Sequence, residues 1–155
     1  MNILALDPAN KCGYATSFGL SGVWDFTPKR DESKGYRLLL LRSKLTYIQE
    51  NFDHPLDLVV FEAARNAGPK RQGALVVQSE LQGVIKLWCE EREIEYRGYS
   101  PKTIKKHATG NGNANKKMMV NAAQEFFNEP IESDDHADAM WLLHLVMEEL
   151  GLHDF

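Results

Sequence analysis

Residues 1–28, MNILALDPANKCGYATSFGLSGVWDFTP, decide the fold class. The segment opens on an apolar run that reads as a short buried strand and stops at Asp7. Two alternating stretches, "CGYATSFG" and "SGVWDFTP", follow around a Ser-Gly turn, as antiparallel hairpin strands do. The chain is therefore expected to open with a three-stranded antiparallel unit.

Beyond it the period changes from two to that of a helix. "GYRLLLLRSKLTYIQENF" places Leu38, Leu41, Leu45, Ile48 and Phe52 at helical spacing, and "LDLVVFE" reads as a buried strand ending at Glu62. "QGALVVQSELQGVIKLWCEER" puts Ala74, Val77, Leu81, Val84, Ile85 and Trp88 on one helical face, and "IEYRGYS" is a further short strand. Ser100 and Pro101 start a short helix by the Ser N-cap and Pro N1 rule. A glycine-rich turn, "TGNGNAN", leads to the helix "KKMMVNAAQEFF", and a last helix is expected from about Asp134 to Leu150. The order of strands and helices defines a mixed α/β domain, and 155 residues suffice to bury its core as one domain, 1–155.

The composition is that of a globular protein, with 43% hydrophobic and 26% charged residues and no tract biased enough for disorder. Cys12 and Cys89 form neither a disulfide framework nor a ligand cluster, and no signal-like segment precedes the first strand, so a cytoplasmic protein is expected. No apolar run approaches the roughly 20 residues that span a bilayer, so no membrane role is expected. The net charge of −4 argues against a basic coat, but it hides a division. Tyr96 to Val120 holds six Lys or Arg and no acid, whereas Glu125 to Asp138 holds six acids and no Lys or Arg. Such adjacent blocks suit an acidic, metal-holding centre beside a phosphate-binding wall.

The acids concentrate in "PIESDDHADAMWLL", where four fall within seven residues at the mouth of an apolar helix. Helix chemistry accounts for some of them, because Ser133 or Asp134 can cap the N-terminus and first-turn acids offset the macrodipole. Asp135 and Asp138, three apart, share a face, and their repulsion is one that a bound divalent cation removes. Asp134 is geometrically possible too, but Asp135 is preferred because Asp134 is the better cap. His136 points off that face and is expected at the surface. With Asp7 and Glu62 at the ends of buried strands, the set offers four oxygen ligands and neither cysteine nor a histidine cluster. That donor set fits Mg²⁺ or Mn²⁺ rather than zinc. Two such ions about 3.5–4 Å apart can serve phosphodiester cleavage, so a metal-dependent nuclease is expected.

The blocks "ILALDPANKCGYA", "LVVFEAARN", "SPKTIKKHATGNGNANKKMMV" and "DDHADAMWLL" occur in the order of motifs of the RuvC family of Holliday-junction resolvases. The sequence resembles that family over nearly its whole length, most specifically in the lysine- and glycine-bearing third block. The resemblance implies an RNase H-like fold, a mixed five-stranded sheet flanked by helices. It implies that Asp7, Glu62, Asp135 and Asp138 are the catalytic, metal-binding acids, with two ions per site. Lys105 and Lys116 correspond to lysines that serve DNA binding or catalysis. A homodimer would then nick two symmetric strands of a four-way junction, leaving 5′-phosphate and 3′-hydroxyl ends. Lys102, Lys106, Lys117, Gly110 and Gly112 of the same block are expected at the DNA, the glycines by letting backbone approach a phosphate.

Some positions depart from the family pattern. Ala9 stands where glycine is usual, and Ala63 and Ala64 follow the glutamate where an aromatic often stacks. Arg65, Lys70 and Arg71 make that loop cationic instead, suited to phosphate contacts or guanidinium stacking. The chain is slightly short for the cellular enzymes, which suggests a bacteriophage version able to accept several branched structures. The leucine-rich helix and the one from Gln72 to Arg92 are both candidates for the dimer face. Trp24, Trp88 and Trp141 are expected in the core, Phe155 has no assigned role, and His107 is expected to be incidental or to meet a phosphate. A nuclease of the same fold acting on flaps or RNA–DNA hybrids is the nearest rival. An actin-like or sugar-kinase ATPase needs a second domain that this chain is too short to provide, and a DNA-binding module that has lost catalysis sits poorly with four retained acids.

Overall fold

A computed structural model describes residues 1–64 and 72–152. Five strands, β1 (Ile3–Asp7), β2 (Lys11–Thr16), β3 (Ser21–Asp25), β4 (Leu58–Glu62) and β5 (Glu95–Tyr99), form one sheet in the order β3-β2-β1-β4-β5. The first three pair antiparallel, while β4 and β5 join parallel to β1. The helices are α1 (Tyr36–Asn51), α2 (Gln72–Arg92), α3 (Pro101–Thr109), α4 (Lys116–Phe126) and α5 (Asp134–Glu149). This is the mixed five-stranded α/β architecture expected from the periodicities.

Strand alternation decides what each sheet face carries. Along β1 and β4, Ile3, Ala5, Leu58 and Val60 join a core with α3, α4 and α5. The intervening Leu4, Leu6, Val59 and Phe61 join a second core with α1 and α2. A period of two therefore carries Asp7 and Glu62, next in line after Ala5 and Val60, to the α5 side. The parallel register Leu6↔Phe61 leaves the two acids as the next step on adjacent strands.

The α1 stripe buries Leu41, Leu45 and Ile48, and α2 buries Leu81, Ile85, Trp88 and Cys89. Trp24, Trp88 and Trp141 are core residues as expected. Ala74 is not, because the buried stripe of α2 begins later and leaves its first turn at the edge of a cleft. Pro101 opens α3 behind Ser100, whose hydroxyl accepts the Thr103 N–H at 3.3 Å. Gly110 ends that helix in the left-handed conformation at φ 82°, its N–H donating to the Lys106 carbonyl at 2.8 Å. A left-handed C-cap is the physical requirement for glycine there.

One close approach fixes α5 on the sheet. A Cβ at Gly13 of β2 would lie 1.8 Å from the Asp135 carbonyl oxygen and 3.1 Å from the His136 nitrogen. Only a residue without a side chain lets the first turn of α5 lie this near β2. No helix among the described residues is long and apolar enough to cross a membrane.

Candidate active site

The ends of β1 and β4 and the first turns of α5 converge on a cleft of about 940 Å³. Asp7, Glu62, Asp134, Asp135 and Asp138 line one part of it, and Lys102, Lys105, Lys116 and Lys117 another. Asp7, Glu62 and Asp138 come closest, with one carboxylate oxygen of each within 4.8 Å of the other two. Asp135 sits beside them, near enough for its charge to act on Asp7 and Asp138.

Crowding these carboxylates where water is scarce penalises their charged forms. Asp7 is 4% exposed, and burial, then the charges of Glu62, Asp138 and Asp135, raise its pKa well above the ordinary carboxylate range. Burial, with the charges of Glu62, Asp134 and Asp135 adding and a side-chain contact with Asp7 opposing, pushes Asp138 up to about 8. Glu62 and Asp135 are raised too, chiefly by burial. Lys105 opposes the rise at Glu62, and Lys116 and Lys11 oppose it at Asp135. The contact between the Asp7 and Glu62 side chains adds to the rise at Asp7 and opposes it at Glu62. A site that must retain protons to relieve its own repulsion is one that cations stabilise. The all-oxygen donor set fits a hard divalent ion.

Backbone and side-chain bonds hold the acids in place. The Ala63 N–H donates to the Tyr99 carbonyl and the Ala64 N–H to Gln82 Oε1, each at 2.8 Å, tying the chain just past Glu62 to β5 and α2. At α5 the cap is Ser133, whose Oγ accepts the His136 N–H at 3.3 Å, and not Asp134. Its extended backbone sets the hydroxyl over the first turn, whereas Asp134 already lies within the helix. Asp134 instead stands 3.8 Å from the Lys116 Nζ, a solvent-screened pair since the lysine side chain is 82% exposed.

Two histidines depart from expectation. His136 is buried: its Nδ1 accepts the Glu132 N–H at 3.0 Å and its Nε2 lies 3.0 Å from Ser21 Oγ. This pairing places the proton on Nε2, and burial, the largest effect, lowers the imidazole pKa. His136 heads the stripe Met140, Leu143 and Met147, all buried, and that spacing is the signal that could have placed it. His107, expected to be incidental, packs its ring against α5, with Nε2 at 2.7 Å from His144 Nδ1. Lys106 is exposed and does not line the cleft, although it follows Lys102 by one turn of α3. Gly112 packs near the Lys102 backbone, 3.6 Å from where its own Cβ would be. Arg65, Lys70, Arg71 and Phe155 lie outside the described residues.

Fold and site together define an RNase H-like α/β protein with an acidic centre and a lysine wall. The family model for crossover junction endodeoxyribonuclease RuvC matches residues 37–144, and the chain belongs to that family. RuvC of Brachyspira hyodysenteriae is 28% identical over 147 residues, covering 90% of this chain and 89% of that protein. Among solved structures, Thermus thermophilus RuvC in complex with a Holliday junction substrate superposes with a TM-score of 0.74 at 16% identity. That match covers 98% of this chain and 97% of the other. A further Thermus thermophilus RuvC structure gives 0.71 at 17% identity, covering 98% of each chain. These likenesses establish the fold, and the family match includes Glu62, Asp135, Asp138, Lys105 and Lys116, while Asp7 precedes it.

Proposed function

We propose that this chain is a Mg²⁺-dependent endonuclease that resolves four-way DNA junctions by paired symmetric nicks. The observation that carries the reading is the convergence of Asp7, Glu62 and Asp138 beneath a wall of lysines in one open cleft. Asp7, Glu62, Asp138 and Asp135 would hold the ions, two per site, with Mn²⁺ able to substitute. When bound, they supply Lewis-acid polarisation of the scissile phosphodiester and of the attacking water.

The remaining work falls to this chain's own residues. Lys116 and Lys105 face the cleft and offset charge gathering on the non-bridging oxygens. Lys102 and Lys117 contact neighbouring phosphates and so position the strand without reading its sequence. Asn115 caps α4 by accepting the Met118 N–H at 2.9 Å, which sets the helix start and Lys116 at the cleft rim. The products carry 5′-phosphate and 3′-hydroxyl ends.

A two-fold substrate suits a two-fold protein, and the homodimer is assigned to the outer face of α1 and α2. Leu39 and Leu87 are 45% and 62% exposed there, and both line a groove of about 210 Å³ between the helices. A monomer leaves such leucines in water at a cost that a second copy removes.

Asp7→Asn and Asp138→Asn proteins test the assignment in an end-labelled junction assay. Both are expected to bind the junction while losing at least a hundredfold in cleavage rate. Full activity with unchanged metal dependence in either variant overturns the site.

A further inference from the structure

A cluster unrelated to the cleft lies further along α5. His144 and Glu148 are four residues apart and share a face, and His107 reaches them from the last turn of α3. We propose that His107, His144 and Glu148 form a second metal site, of the zinc class, that ties α3 to α5.

The geometry carries the assignment. One ligand atom from each of the three lies within 4.8 Å of the other two. A hydrogen bond accounts for the 2.7 Å approach of His107 Nε2 to His144 Nδ1. It does not account for the carboxylate. Glu148 Oε2 stands 3.9 Å from His107 Nδ1, and Oε1 stands 3.8 Å from His144 Nε2. Both separations are too long for hydrogen bonds, yet the carboxylate faces both rings. Ligands about 2.0–2.2 Å from a tetrahedral zinc stand roughly 3.3–3.6 Å from one another, and the 3.8 and 3.9 Å spacings from Glu148 to the ring nitrogens that face it lie just beyond that edge. Side-chain shifts of about a few tenths of an ångström close that gap, and solvent supplies the fourth position.

The surroundings are those of a built site. The two histidine side chains are 15% and 11% exposed, while Glu148 at 58% leaves an entry path. Aromatic rings fix the imidazoles: Phe126 and Trp141 lie 4.8 and 5.6 Å from the His144 ring, and Trp141 lies 6.0 Å from that of His107. Two imidazoles and one carboxylate select zinc or a neighbouring transition ion over Mg²⁺, the opposite preference from the all-oxygen cleft. Because α3 carries Lys105 and α5 carries Asp138, the ion would clamp the lysine wall to the acids.

The test is a Zn²⁺ titration of the full chain by calorimetry in excess Mg²⁺, which keeps zinc off the carboxylates. Wild type is expected to take up one equivalent, and Co²⁺ in its place is expected to give the visible absorption of a four-coordinate ion. His144→Asn should abolish the uptake, and Glu148→Gln, an exposed substitution that leaves the fold alone, should weaken it at least tenfold. Asp7→Asn should leave it unchanged. Equal affinity in wild type and Glu148→Gln, or loss of the zinc in Asp7→Asn, overturns the proposal.

Discussion

Replacing Asp138 by Asn is expected to make the metal-free protein more stable while destroying its activity. The Asp138 carboxyl has a pKa of about 8 in the folded chain against an ordinary 3.8. A carboxyl raised on folding contributes most at low pH. Its contribution is lost as pH climbs through the interval between the two values, because the unfolded chain ionises first. At about 1.4 kcal/mol per pH unit, the interval from 3.8 to neutral pH amounts to roughly 4 kcal/mol. An amide of the same shape carries none of that penalty. Some of the repulsion is shared with Glu62 and the other aspartates, so a gain of roughly 2–4 kcal/mol is expected at pH 7. Urea denaturation in EDTA at pH 5 and pH 7.5 measures it. Wild type should lose stability between the two, and Asp138→Asn should lose much less. Adding Mg²⁺ at pH 7.5 should raise the wild-type midpoint and leave the variant nearly unmoved. Equal wild-type and variant stability at pH 7.5 in EDTA would refute the reasoning.

Other expectations follow from particular contacts. Gly13→Ala drives a methyl onto the Asp135 carbonyl, a backbone atom that cannot rotate away. It should cost about 3 kcal/mol or more in urea denaturation, together with cleavage, since the acids of α5 move with the helix. Ser133→Ala removes the α5 cap and should cost about 1 kcal/mol in the same assay, whereas Asp134→Asn should be near neutral. Lys116→Ala breaks only an exposed pair, so the midpoint should stay put while single-turnover junction cleavage falls roughly a hundredfold. Leu87→Glu should shift the protein towards monomer in sedimentation equilibrium and abolish paired nicking, leaving its circular dichroism unchanged.

Much of this was legible in the residues because two periodicities do the placing. Asp7 and Glu62 each end an apolar strand, and a period of two sends both to one face once the strands lie side by side. Asp135 and Asp138 meet them because three residues make most of a helical turn. Features that depend on tertiary packing were not legible. The burial of His136 follows from α5 pressing its first turn onto β2 at Gly13, a closeness that no local pattern encodes. The choice of Ser133 over Asp134 as cap turns on a one-residue difference in where the helix starts. His107 looked incidental because its partners lie 37 and 41 residues away, on a helix whose packing against α3 is itself a tertiary fact. Arg65, Lys70 and Arg71 fall outside the described residues.

The central claim is a metal-dependent cut placed symmetrically in a four-way junction. Its most direct test is product mapping on an immobile junction, each strand labelled in turn, beside matched linear duplex, a flap and an RNA–DNA hybrid, in Mg²⁺, Mn²⁺ and EDTA. Paired nicks at equivalent positions in two opposing strands of the junction, with 5′-phosphate ends and none in EDTA, are the expected result. Cleavage of flaps or hybrids with the junction left intact, or junction nicks that persist in EDTA, would contradict the account.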